Sequence, residues 1–182
     1  MEKIYLIGFM GTGKTSIGKE LSKSIGYGFL DMDEIIEQKE GMSIKDIFSR
    51  YGENYFRDKE RTLLFELLNL EKVVISTGGG TPCFFDNIDL MKNTGFVVYL
   101  YLNEDELLKR LEKNIERQKR PLINKKENRD ILLLLRTRGK YYYQAHITLD
   151  CSKKTAKTIS TEIKKEYEKW IKKQAFYFIQ HS

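Results

Sequence analysis

Short runs of apolar, β-branched and aromatic residues alternate along this chain with longer stretches whose apolar side chains recur at helical spacing. Strands are predicted over residues 3–7, 29–30, 73–76, 96–102 and 147–149. Helices are predicted over 14–25, 33–39, 43–50, 54–70, 86–93, 103–116, 128–140 and 155–173. Ser43, with Asp46 three positions on, has the form of a capping pair, and Asn103 is placed to cap the helix after it. Regular strand–helix alternation implies a parallel sheet covered by helices on both faces. One stretch breaks the pattern. Residues 117–128 are polar and poor in apolar side chains, the composition of a mobile excursion over a site, and a lid is expected at about 113–128.

One such sheet needs one core. A length of 182 residues with 41% hydrophobic content supplies it, so a single domain over 1–182 is expected. No apolar run approaches the roughly 20 residues that span a bilayer, and the opening Met1-Glu2-Lys3-Ile4-Tyr5-Leu6-Ile7-Gly8 is too short and wrongly built for a signal peptide. A soluble, cytoplasmic domain with no membrane partner is the expectation. Cys83 and Cys151 make neither a disulfide framework nor a metal cluster and read as reduced thiols, and His146 and His181 show no ligand spacing.

The net charge of +6 raises the question of a nucleic-acid partner. Beyond residue 152 there are eight lysines against three glutamates, which leaves 24 basic and 23 acidic residues in the body. Proteins that grip polyphosphate backbones carry their positive charge on the working face. Here it sits on one terminal helix, which argues against such a partner.

Chemistry enters at the end of the first strand. Gly8-Phe9-Met10-Gly11-Thr12-Gly13-Lys14-Thr15 matches G-x-x-x-x-G-K-[ST], between a buried strand and an amphipathic helix. The glycines let several backbone N–H groups aim inward as an anion nest, and the helix N-terminus adds partial positive charge. Gly11, Thr12, Gly13, Lys14, Thr15 and Ser16 are therefore expected to bind a nucleoside triphosphate, which the family resemblance given below makes ATP. Lys14 is expected to reach the β- and γ-phosphates, and the Thr15 hydroxyl to ligate Mg²⁺.

Three further features bear on the acceptor. Asp31-Met32-Asp33 follows the second strand, and a spacing of two on extended chain would put both carboxylates on one side, facing the cradle. One could serve the metal shell while the other accepts a hydroxyl proton; alternatively, Asp33 caps the helix that starts there. Gly78-Gly79-Gly80 follows the third strand, where a backbone without side chains can approach a small ligand. Arg57, with Glu60 one helical turn on, and Arg138, four residues before Tyr142, could pair with a carboxylate. Arg136 and Arg138 point roughly 200° apart on a helix, so only one can face the site, and Tyr142 favours Arg138.

Together these residues resemble the shikimate kinase family. The pattern runs Gly8–Thr15, Asp31-x-Asp33, Phe56-Arg57-x-x-Glu60, Gly78-Gly79-Gly80, Arg120-Pro121-Leu122 and Arg138-x-x-x-Tyr142, over roughly residues 1–160. The resemblance implies a P-loop kinase fold, with five parallel strands flanked by helices and a mobile lid. It implies ATP-dependent phosphorylation of the 3-hydroxyl of shikimate, a step toward chorismate and the aromatic amino acids. By the same resemblance Asp33 binds the acceptor hydroxyls and acts as base, and Arg57 and Arg138 hold the carboxylate. Gly78, Gly79 and Gly80 approach the substrate, Glu60 orients Arg57, Asp31 is a second-shell magnesium contact, and Arg120 is the lid arginine that closes on the transferring phosphoryl. Where the family commonly has an arginine against adenine this chain has Lys113, with Arg110 and Arg117 nearby.

A kinase for another small polyhydroxylated acid, such as gluconate, fits the same cradle. A nucleotide-sensing or nucleic-acid-binding module would use it as a switch. At the far end, Ile159, Ile163, Tyr167, Trp170 and Ile171 fall at helical spacing and are expected to pack on the body. Phe176-Tyr177-Phe178-Ile179 is an apolar group expected to fold back rather than meet another chain, so the protein is expected to be a monomer.

Overall fold

The computed structural model describes residues 2–113 and 127–180, without the side chains of 113 and 177–180. The expectations for Arg117 and Arg120, for the lid over 114–126, for the side chains of Lys113, Tyr177, Phe178 and Ile179, and for His181 lie outside the described residues.

Five strands form one parallel sheet: β1 (Lys3–Ile7), β2 (Gly28–Asp31), β3 (Val73–Ser76), β4 (Phe96–Tyr101) and β5 (Ile147–Asp150), in the spatial order β2-β3-β1-β4-β5. Every residue of β1 and β3 is buried, as expected of central parallel strands covered on both faces. The edge strand β5 alternates between half-buried and exposed. Among the described residues the α-helices are α1 (Lys14–Ile25), α2 (Met32–Glu40), α3 (Ile44–Glu66), α4 (Asn87–Thr94), α5 (Glu104–Lys113), α6 (Asn128–Tyr142) and α7 (Ala156–Gln180). Because β1 pairs with β3 on one side and β4 on the other, the loops after β1 and β3 emerge side by side at the carboxyl edge of the sheet.

The break expected between helices at 43–50 and 54–70 is present within α3, at Gly52, whose φ of 82° and ψ of 176° are non-helical and suit glycine. Two expectations need correction. The helix after β2 begins one residue early, so Asp31 is its N-cap, accepting the Asp33 N–H at 3.0 Å, and Asp33 lies in the first turn rather than on extended chain. The chain does not fold back after residue 173: α7 continues to Gln180, with Phe176 62% exposed.

The expected caps are present. The Ser43 hydroxyl accepts the Asp46 N–H at 3.2 Å, and Asn103 Oδ1 accepts that of Glu106 at 2.9 Å. On α7, Ile159, Ile163 and Tyr167 are buried while Trp170 and Ile171 are half-buried, and the helix lies along α1. Lys3 is buried at the start of β1, where its ammonium donates to the carbonyls of Leu67 and Leu68 at 2.8 and 2.6 Å, and burial lowers its pKa. Cys83 and Cys151 are free thiols, pushed up by burial to about 11 and about 12, which keeps both protonated at neutral pH.

Candidate active site

The loop from Gly8 to Gly13 is shaped by positive φ angles of 144°, 82° and 89° at Gly8, Gly11 and Gly13. A Cβ on Gly8 would also lie 2.7 Å from the Leu100 carbonyl oxygen, so neither backbone nor space admits a side chain there. Thr12 braces the loop from within, donating to the Phe9 carbonyl at 2.9 Å. Lys14 opens α1 and is buried; its ammonium donates to the carbonyls of Gly8 and Phe9 at 2.9 and 3.0 Å. Ser16 is exposed in the first turn of α1. The Thr15 hydroxyl donates to Asp31 Oδ2 at 2.7 Å. A hydroxyl and a carboxylate oxygen at a phosphate-binding helix start are the hard donors that Mg²⁺ accepts while phosphates and water fill the remaining positions. These residues fit that ion. No group of three or more acidic, His or Cys side chains suited to a metal occurs among the described residues.

Beside the cradle is a cavity open to solvent, with Asp33 from α2, Arg57 and Glu60 from α3, the three glycines after β3 and Arg138 from α6 in its wall. Met10, Ile44, Phe48 and Phe56 give it an apolar side. The three glycines need no special backbone conformation, since none has a positive φ. A Cβ on Gly78 would collide with the Glu60 carboxylate and stand 2.9 Å from Asp33 Oδ1, and one on Gly80 would lie 2.5 Å from Arg57 Nη1. At Gly78 and Gly80, then, the missing side chain is volume already taken by the charged groups of the site, whereas a Cβ on Gly79 would meet only ordinary contacts.

Those groups form a chain of contacts. Arg57 is buried, and its Nη1 pairs with Glu60 Oε2 at 2.5 Å, while Phe84 stacks with its ring centre 4.4 Å from the guanidinium. The Thr81 hydroxyl, fully buried, donates to the other Glu60 oxygen. Burial presses the Glu60 carboxyl upward in pKa, and the Arg57 guanidinium and Thr81 hydroxyl work against that pressure. Burial would lower the pKa of Arg57, yet the adjoining Glu60 and Glu53 carboxylates outweigh it and hold the guanidinium charged.

Arg138 differs. It is 5% exposed, and its Nη1 is buried with no hydrogen-bond partner among the described residues. A buried guanidinium nitrogen without an acceptor is costly, so a cavity built this way favours an anionic occupant. One turn along α6, the Tyr142 hydroxyl donates to the Gly79 carbonyl at 2.5 Å and interacts with the Arg138 guanidinium; burial drives its pKa far above the ordinary value. Arg136 lies on the opposite, exposed side of α6, where two of its nitrogens pair with the Glu104 carboxylate at 3.0 and 3.1 Å. Arg110 is held by Glu106 at 2.6 Å.

The structure thus brings Lys14, Thr15, Asp31, Asp33, Arg57, Glu60, Gly78, Gly79, Gly80 and Arg138 to one edge of the sheet. Sequence reasoning missed Glu53, Thr81, Phe84 and the tie from Tyr142 to Gly79. Only the i, i+4 spacing of Glu53 and Arg57 was readable beforehand.

A parallel five-stranded sheet with a phosphate-binding loop after its first strand, beside a cavity lined by a carboxylate and two arginines, defines a P-loop kinase. A family model described as shikimate kinase matches residues 10–168. The shikimate kinase of Parabacteroides distasonis is 41% identical over 157 residues, 84% of this chain and 90% of that relative. That of a Sulfurihydrogenibium species is 43% identical over 163 residues, 90% and 96% of the two chains. The crystal structure of the shikimate kinase from Acinetobacter baumannii in complex with shikimate superposes with a TM-score of 0.83 at 36% identity, covering 90% of each chain. A gluconokinase from Sinorhizobium meliloti, 16% identical with a TM-score of 0.58, shares the fold alone. The chain belongs to the shikimate kinase family.

Proposed function

We propose that this protein transfers the γ-phosphoryl group of ATP to the 3-hydroxyl of shikimate, giving 3-phosphoshikimate and ADP. The observation that carries this reading is the pairing, in one cavity, of Arg138 Nη1, buried without a hydrogen-bond partner among the described residues, with the Asp33 carboxylate: one group for an acid, the other for a hydroxyl. Arg138 and Arg57 hold the carboxylate of the acceptor and offset its charge, so that anionic acceptor and anionic ATP can share the site. Asp33 binds the ring hydroxyls and takes the proton of the attacking hydroxyl as its oxygen bonds to the γ-phosphorus and the bond to the ADP oxygen breaks.

The inward-facing amides of Gly11, Thr12 and Gly13, with Lys14, Thr15 and Ser16, bind the ATP phosphates. To reach them Lys14 exchanges its loop carbonyls for phosphate oxygens. Thr15 would hold Mg²⁺, with the Asp31 carboxylate beside it accepting from the Thr15 hydroxyl. When bound, that ion neutralises charge on the β- and γ-phosphates. Arg120, carried by the lid at 113–128, closes over the phosphoryl group and keeps water from it.

Gluconate, the alternative acceptor, is supported only by likeness of fold. The protein works as a single kinase domain, as a monomer in the cytoplasm. Among the described residues, no helix is long and apolar enough to cross a membrane. The test is ADP release from enzyme and Mg·ATP with shikimate, gluconate or single-stranded nucleic acid added separately. Release is expected with shikimate alone; equal rates with gluconate would overturn the assignment. Unchanged sedimentation and melting temperature on removal of residues 176–182 would exclude a role for the tail in association or packing.

A further inference from the structure

The Arg57 guanidinium is held from two directions. Glu53 Oε1 accepts from Nε at 3.1 Å and from Nη2 at 2.7 Å, and Glu60 Oε2 accepts from Nη1 at 2.5 Å. A guanidinium has five N–H donors in a fixed plane. Three are used, which leaves one on each terminal nitrogen without a protein acceptor among the described residues.

The two glutamates stand differently. Glu60 is buried in the cavity wall, whereas Glu53 lines no part of the cavity and its side chain is 40% exposed. Glu53 therefore grips the arginine from outside the pocket. The kink at Gly52 begins a new helical segment just before it, and from there Glu53, Arg57 and Glu60 fall at i, i+4 and i+7, one face of a helix.

We propose, resting on the reading of this cavity as the acceptor site, that Glu53 is a positioning residue for acid recognition. Its oxygen fixes the rotation of the Arg57 guanidinium so that the remaining N–H groups are presented to the acceptor carboxylate in the cavity that Arg57 lines. Its charge has a separate effect. Two carboxylates on one guanidinium outweigh the charge of Arg57, so net attraction for an acid rests on Arg138, and Arg57 contributes direction rather than pull. Orientation needs only an acceptor oxygen, while the damping of attraction needs the negative charge, so substitution separates the two.

The experiment measures KM for shikimate, KM for ATP and kcat in the wild type, Glu53→Gln and Glu53→Ala. Glu53→Gln keeps an oxygen acceptor and loses the charge, so its KM for shikimate is expected at or below the wild-type value. Glu53→Ala loses the hold on a charged group and is expected to raise that KM about tenfold. KM for ATP stays within about twofold in both, since no phosphate-binding group is touched. If Glu53→Ala matches the wild type, or if both variants raise KM equally, the positioning role is overturned. A parallel rise in KM for ATP would show a general structural role and overturn it too. A wild type that turns over ATP without shikimate dependence would overturn the acceptor assignment and this proposal with it, an outcome separate from any pattern among the variants.

Discussion

The Thr15 hydroxyl donates to Asp31 Oδ2 at 2.7 Å while Asp31 Oδ1 accepts the backbone N–H of Asp33 at 3.0 Å. One carboxylate therefore ties the start of α1, where phosphate and metal are expected, to the first turn of α2, which carries the proposed base. The register between nucleotide and acceptor depends on this residue.

Substitution at Asp31 should divide accordingly. Asp31→Ala removes a helix cap and should cost about 1 kcal/mol of stability, read from the urea midpoint. Asp31→Asn keeps an oxygen acceptor for the cap, so its midpoint should stay near the wild-type value. Both variants should need several times more Mg²⁺ for half-maximal activity, because the charge beside Thr15 is gone. Wild-type magnesium dependence in both would remove Asp31 from the metal shell.

Asp33→Asn should lower kcat by at least about 10²-fold, the scale of general-base catalysis, with ADP affinity by calorimetry unchanged. Near-normal kcat would take Asp33 out of the mechanism. Lys14→Met should cost several orders of magnitude in kcat, because its role is to stabilise charge on the transferring group.

The three glycines should not be equivalent. A Cβ on Gly80 meets Arg57 at 2.5 Å from Nη1 and 2.7 Å from Cζ, and the clamped, buried guanidinium has nowhere to move. Gly80→Ala should therefore raise KM for shikimate about tenfold or more by turning the arginine. A Cβ on Gly79 finds Met10 N at 3.4 Å and Arg138 Nη1 at 3.6 Å, ordinary contact, so Gly79→Ala should fold with an unaltered melting temperature. Equal effects of the two would mean that backbone freedom, not occupied volume, is what these positions need.

Acid should loosen the base of the sheet through His146. Its Nδ1 accepts the Val97 N–H at 3.0 Å, and its ring lies between Phe96 and Trp170, with centres 5.7 and 5.6 Å away. Burial first, and Lys92 second, lower its pKa below 6.5. The folded state then binds fewer protons than the unfolded chain, so this contribution is fully present above 6.5 and is lost as pH falls through the lowered value. Urea unfolding of the wild type should weaken from pH 7.5 to 5 more steeply than that of His146→Gln. Parallel curves would show that His146 does not titrate differently in the two states.

Much of this protein is legible in its sequence because much of it is local. The strands at 3–7 and 73–76 are observed with those bounds, since a central parallel strand must be apolar on both faces and stops where that run stops. The phosphate loop is legible for a related reason: its conformation requires glycine at set positions within a few residues. Ser43 and Asn103 cap their helices by bonds spanning three residues.

Tertiary structure decided what depends on segments far apart in the chain. Helical periodicity separates Arg136 from Arg138 but does not say which side meets the sheet; the packing of α6 puts Arg138 in the cavity wall and Arg136 against Glu104. The triple glycine reads locally as a flexible or ligand-facing turn, yet the steric need at Gly78 and Gly80 comes from Glu60, Asp33 and Arg57 on other elements. Tyr142 looks like one ring in an aromatic run until α6 lies beside the loop after β3 and its hydroxyl reaches Gly79. Hydrophobic pattern reports which face of each element is buried, whereas the partner that face meets is settled only when the whole sheet is assembled and its volume is shared out.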